Sequence, residues 1–130
     1  MRKFPLAVML LSVLLLLLSA CVGKSAEPAS KAVEDYLNAL VNKDSTRLSA
    51  LSCADWESDA LLEFDSLQAV KTRLDGLTCK TAGTDGITSQ VNCQGKILAT
   101  YNGEDQALDV SVRTYQVVQQ GGEYLVCGYK

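Results

Sequence analysis

Residues 31–42 read KAVEDYLNALVN, and this stretch decides the first half of the fold. Ala32, Val33, Tyr36, Leu37, Leu40 and Val41 recur at spacings of one, three and four, which puts them on one face of a helix. Glu34, Asp35 and Asn38 fall opposite. The acidic pair lies early, where the helix dipole favours negative charge. Asn42-Lys43-Asp44 breaks the pattern, and Asp44 or Ser45 can cap a second helix carrying Leu48 and Leu51 and ending near Cys53. A third helical region is expected from about Asp55 to Asp75, with a break near Asp65-Ser66. Its apolar positions are Leu61, Leu62, Phe64, Leu67, Val70 and Leu74, and Gly76 is a natural stop.

After Gly76 the period changes to two. Leu77 to Thr81 reads as a short first strand. Ile87, Val91, Cys93, Ile97, Ala99 and Tyr101 share one register, and the polar residues between them share the other. That is a strand with one dry and one wet face, or two strands with a kink at Gly95. Asn102-Gly103 marks a hairpin. Leu108, Val110 and Val112 start the next strand in the even register, whereas Tyr115 and Val117 are odd, which implies a bulge or burial on both faces. Gly121-Gly122 turns the chain again, and Leu125, Cys127 and Tyr129 face one way in a last strand. Helices first and strands afterwards argue an α+β fold. The N-terminal helices should pack on one face of a curved antiparallel sheet of about four strands.

Upstream, Met1-Arg2-Lys3 is followed by an apolar run from Leu6 to Leu18, interrupted by Ser12 alone. The run is too short to span a bilayer and has the length of a signal-peptide core. It ends in Leu18-Ser19-Ala20-Cys21, which resembles the lipobox of bacterial lipoproteins at all four positions. The resemblance implies a signal peptide over residues 1–20, a lipid on Cys21 and a tether over 21–30 ahead of a domain over 31–130. It also implies the extracytoplasmic face of a membrane in the cell envelope. Val22, not Asp, after the cysteine implies the outer membrane where a cell has two. Two or more acyl chains, at roughly 0.8 kcal/mol per buried CH2, hold a protein where one chain does not. The plain alternative is a secreted protein cleaved after Ala20 with a free Cys21.

Cleavage before Cys21 would leave 110 of the 130 residues, one small domain. Without Arg2 and Lys3, ten of the 12 basic residues remain against 15 acidic ones, a net charge of about −5. No basic run exists, so nucleic-acid binding has no electrostatic footprint. The membrane partner would be reached through the lipid on Cys21, not through an acidic protein face. Histidine is absent, which removes the usual general base and the commonest metal ligand.

Four further cysteines, Cys53, Cys79, Cys93 and Cys127, make an even number in an exported domain and read as two disulfides. A four-thiolate metal site is the competing reading, but none are paired as C-x2-C. Cys79, Cys93 and Cys127 fall in the apolar register of their strands. Of the three possible pairings, 79 with 93 and 53 with 127 is preferred. The first bridge would contribute about 3 kcal/mol and the second about 4.5 kcal/mol by loop entropy.

Tyr36-Leu37-Asn38-Ala39-Leu40-Val41-Asn42-Lys43-Asp44, then Leu48 and Leu51, resembles the opening of NTF2-like (cystatin-like α+β) domains. Gly122-Glu123-Tyr124-Leu125-Val126-Cys127 is similar to the last strand of small NTF2-like lipoproteins. The resemblance implies a cone of helices against a curved sheet, sometimes with a pocket inside. Such domains include enzymes, binders and bare scaffolds, so the fold does not supply the function.

Two groups could carry chemistry. Asp55, Glu57, Asp59, Glu63 and Asp65 surround Trp56, but a calcium loop would need glycine where Ala60 stands and a glutamate where Ser66 stands. A solvated helix face is the simpler expectation. Tyr36, Tyr101, Tyr115, Tyr124 and Tyr129 could line a pocket. No Asp lies in the dry strand register with them, since Asp109 sits on the opposite face from Leu108 and Val110, so packing is again simpler. No catalytic, metal or cofactor-binding residue is therefore assigned. The first expectation is an envelope binding module for an unknown envelope protein or small ligand. A small-molecule pocket protein comes second, and an isomerase or dehydratase last.

Overall fold

The computed structural model describes residues 27–130, so Cys21, the signal-like segment and the first six residues of the expected tether lie outside the described residues. The first helix, α1 (Pro28–Val41), starts with a proline, whose missing N–H is harmless in the first turn. It begins three residues before Lys31, so Ala29 and Ser30, both buried, belong to the folded domain. Its Val33, Tyr36, Leu37 and Leu40 are wholly buried along one stripe. Helix α2 (Ser45–Ala50) is capped by Asp44, whose carboxylate accepts from the Arg47 N–H at 3.0 Å. Helix α3 (Ala54–Ser66) follows with Cys53 as its N-cap and buries Ala60 and Phe64.

Five strands follow: β1 (Lys71–Asp85), β2 (Thr88–Tyr101), β3 (Glu104–Asp109), β4 (Thr114–Gln120) and β5 (Glu123–Tyr129). All pairings are antiparallel. Strand β2 is central, with β1 along one edge. On its other edge, Thr88–Asn92 pair with β4 and Lys96–Tyr101 pair with β3, and β5 lies beyond β4. The helices cover one face of this sheet, and the core lies between them, from Val33, Leu37 and Leu40 to Val91, Ile97, Tyr115, Val117 and Val126.

Five local readings differ from the sequence pattern. Lys71–Asp75 form strand, not helix: Leu74 lies opposite Ile97 and Lys71 opposite Thr100, so long-range pairing overrides the helical spacing of Val70 and Leu74. Gly76 ends no helix. At φ +65° it sits in the register shift between Asp75 and Thr78, a bulge that bends β1. The run from Leu108 to Val112 is not one strand. A 3-10 turn over Val110–Val112 separates β3 from β4, buries Val110 and leaves Leu108 and Val112 exposed, which accounts for the switch from even to odd register. In β5 the fully buried residue is Val126, with Leu125 and Cys127 half-buried. Tyr115 faces Tyr129 while Val117 faces Val126, so β5 carries an extra residue and its register flips. The dry face of β2 is also shorter than its pattern: Val91, Cys93 and Ile97 are buried, but Ile87 is 83% exposed.

Both preferred cysteine pairs stand at disulfide distance. Cys79 lies directly opposite Cys93 with 4.0 Å between Cα atoms, and its N–H turns away from β2 to donate to the Glu34 carboxylate at 3.1 Å. Such non-hydrogen-bonded pairs bring side chains closest across a sheet. Cys53 and Cys127 have Cα atoms 5.1 Å apart. Around them the chain covers the outer edge of β5: the Cys53 N–H donates to the Val126 carbonyl at 2.9 Å, and the Val126 N–H donates to the Leu51 carbonyl at 2.8 Å.

Gly95 shows what the bend demands. It has φ +115°, and a Cβ there would stand 2.8 Å from the backbone oxygens of Asp75 and Gly76. Gly95→Ala should therefore destabilise the domain by about 2–4 kcal/mol. Gly83→Ala, in open space, should stay within about 0.5 kcal/mol. Urea titration of the two variants checks this; equal effects would contradict it.

Candidate functional site

Trp56 and Glu63 stand seven residues apart on α3, two helical turns, so both look the same way. They meet Tyr36 from α1, Arg113 from the end of the 3-10 turn, Tyr115 from β4 and Tyr129 from β5. The Trp56 indole N–H donates to the Tyr36 hydroxyl at 3.1 Å. The Tyr129 ring lies edge-on to Trp56 at 5.3 Å and to Tyr115 at 5.6 Å between centroids. The Arg113 guanidinium carbon sits 4.1 Å from the Tyr129 ring centre, and its Nη1 donates to Glu63 Oε1 at 2.8 Å. These two charged side chains are only 20% and 15% exposed. The cluster closes the end of the helix–sheet layer where α3 meets β4 and β5.

Its electrostatics are those of a donor-rich, protonated site. Burial pushes the Tyr36 phenol up; the Trp56 donor pulls it partly back and the Glu63 charge adds to the rise. Burial likewise raises Tyr115, opposed by Arg113, and raises Tyr129, helped by Glu63. Burial alone would pull Arg113 down, but Tyr115 and Glu63 together outweigh it, and the guanidinium is held more firmly charged. Two buried atoms of the cluster have no partner: Glu63 Oε2 and the Tyr115 hydroxyl. The Tyr115 oxygen is near enough to feel Arg113, yet meets it at no proper hydrogen-bond geometry. The cluster thus holds two buried polar atoms without a partner, Tyr115 being wholly out of solvent, beside the partly exposed Trp56, Arg113 and Tyr129.

The five tyrosines divide. Tyr36, Tyr115 and Tyr129 converge here. Tyr101 is exposed at the far end of β2. Tyr124 lines a separate cleft of about 410 Å³ between α1, α2 and β5, beside Lys31, Asp35 and Arg47. The acidic segment divides too. Asp55, Asp59 and Asp65 are exposed, and among the described residues no group of three potential ligands gathers for a metal ion. Glu63 departs from that face and turns inward. Asp109 is outside the cluster, accepting from the Ser111 N–H at 2.9 Å to cap the 3-10 turn. The inward acid comes from a helix, where the strand register could not reveal it. Its signal was the seven-residue spacing from Trp56 and its place next to the core residue Phe64.

No protein-family model matches the chain, and no curated protein does. Solved structures are similar in fold. An NTF2-like protein with a cystatin-like fold from Novosphingobium aromaticivorans superposes with a TM-score of 0.55 at 14% identity, over 98% of this chain and 89% of that one. The protein Aln2 from a Streptomyces species gives 0.52 at 12% identity, over 78% and 85%. Likeness at such identity establishes the fold alone: the domain has the α+β, NTF2-like architecture.

The cluster generates paired expectations. Tyr36→Phe should destabilise by about 1–2 kcal/mol because it strands the Trp56 N–H, whereas Tyr115→Phe should be neutral or stabilising because it removes a buried hydroxyl without a partner. Phenols raised above their ordinary value near 10 keep their contribution below that pH and lose it as pH climbs further, since the unfolded chain ionises first. Urea midpoints should therefore hold from neutral pH to about 10 and fall above it, less steeply in Tyr115→Phe. A wild-type midpoint that rises above pH 10 would contradict the assignment.

Proposed function

We propose that the protein is a lipid-anchored binding domain of the cell envelope that holds a protein partner without transforming it. The observation that carries this reading is the half-buried cluster of Trp56, Tyr129 and Arg113 at the end of the fold. Tryptophan, tyrosine and arginine are the residues that dominate the centres of protein interfaces. The exposed Leu62 and Val112 are the immediate chain neighbours of its ion pair, Glu63 and Arg113, and are the apolar positions at which the interface can be tested. Catalysis has little support there: one Glu63 oxygen is taken up by Arg113, the phenols are held protonated, and no nucleophile stands beside a base. The anchoring half of the reading rests on Leu18-Ser19-Ala20-Cys21 and the apolar run before it.

A small polar ligand is the second reading, favoured by the unpartnered Glu63 Oε2 and Tyr115 hydroxyl, which together would pair with a group that both donates and accepts. The two readings separate in one experiment. Leu62→Asp/Val112→Asp, with unchanged circular dichroism, should lose any protein crosslinked to wild type in native membranes. Retention of the same crosslinked partner would contradict the interface. For the anchor, Cys21→Ser should accumulate as precursor with its N-terminal segment uncleaved; normal processing of that variant would refute lipidation.

A further inference from the structure

The two cysteine pairs sit in different surroundings. Cys79 and Cys93 are 6% and 1% exposed and belong to the apolar core with Leu37, Leu40 and Val91. Cys53, though only 5% exposed, and the half-buried Cys127 are not part of that contiguous apolar cluster, and both line a surface cleft of about 330 Å³ whose walls include Asp55, Ile87 and Gln120. Of these two, Cys127 is the more exposed.

We propose that Cys53–Cys127 is a thiol–disulfide exchange site, entered from this cleft by a dithiol reductant, while Cys79–Cys93 is a permanent staple. The inference rests on the four cysteines being oxidised in these pairs. A thiolate of the reductant attacks Cys127 Sγ and forms a mixed disulfide as the Cys53–Cys127 bond breaks. Cys53 leaves as a thiolate and takes a proton from water. It is the leaving group because Cys127, the more exposed of the two, is the sulfur attacked. The reductant's second thiol then displaces Cys127, which is protonated in turn. Two electrons and two protons have passed to the protein, and the reductant ends as a disulfide. Asp55 and Glu57 occupy the first turn of α3, next to Cys53, so an uncharged or cationic reductant is favoured over an anionic one.

Opening this bond reaches the candidate site. Cys53 precedes Trp56 by three residues and Cys127 precedes Tyr129 by two, and the two rings are in contact. Trp56 also packs its ring against Gly128, 3.3 Å from the place of an added Cβ. The bridge therefore ties the aromatic pair together, and reduction slackens the surface that, on the function proposed above, holds the partner.

Trp56 is the single tryptophan of the chain, so its fluorescence reports on the bond. The lipidated protein in detergent is exposed to rising dithiothreitol, an uncharged dithiol, then alkylated and mapped by peptide mass. Cys53 and Cys127 should be alkylated at least about tenfold faster than Cys79 and Cys93, which need the core to open. A red shift of Trp56 emission should run in step with that alkylation. A Cys53→Ser/Cys127→Ser variant, which keeps the core bridge, should show the shifted emission without reductant and no further change at mild dithiothreitol. Simultaneous reduction of both pairs, earlier reduction of Cys79–Cys93, or reduction with static fluorescence would overturn the proposal alone. Absence of linked peptides before reduction would overturn the oxidised pairing together with it.

Discussion

The helices cover the inner face of a five-stranded sheet, and the buried stripe of Val33, Tyr36, Leu37 and Leu40 on α1 is the centre of that cover. Each such apolar side chain contributes roughly 1.5–3 kcal/mol when fully buried, so the stripe supplies a large share of what holds a domain this small together. The sheet must bend to meet it. The bulges of β1 and the close backbone approach at Gly95 provide the bend. Polar contacts then lock the helix to the nearest strand: Glu34 accepts the Cys79 N–H, and the Thr72 hydroxyl donates to the Val41 carbonyl at 2.7 Å.

The same stripe begins the candidate site. Tyr36 is both a core residue of α1 and the acceptor for Trp56, so α3 is positioned through the helix that closes the sheet. From Trp56 the contacts pass to Tyr129 on β5, to Tyr115 on β4 and Arg113 just before that strand, and back to Glu63 on α3. A half-buried ion pair gains strength from low local polarity but costs desolvation, and removing either partner leaves a charge without compensation. Aromatic packing and charge pairing thus hold one surface rigid.

Much of this was legible in the sequence. The spacing of apolar residues located α1, and Asp44 marked the start of α2. The alternation from Val91 to Ile97 gave the inner face of β2, and Asn102-Gly103 and Gly121-Gly122 marked two hairpin turns. What stayed hidden depended on contacts distant in sequence. Leu74 fits a helix face as well as a strand, and only its partner Ile97, on β2, decides. Val110 looks like a strand residue until the 3-10 turn places it. The register flip in β5 arises from an extra residue opposite β4 and leaves no trace in the alternation of Leu125, Cys127 and Tyr129. Glu63 looked like one more carboxylate on a wet face, because its partner Arg113 lies fifty residues away.

The proposal is a binding surface joined to a lipid at residue 21, and the intact mass of protein extracted from its own membranes, unreduced and treated with a thiol alkylator, tests it most directly. It predicts a chain beginning at Cys21, heavier by a diacylglyceryl group or more, with no alkylated thiol. An unacylated chain carrying an alkylated Cys21, or alkylation of any of the other four cysteines, would contradict it.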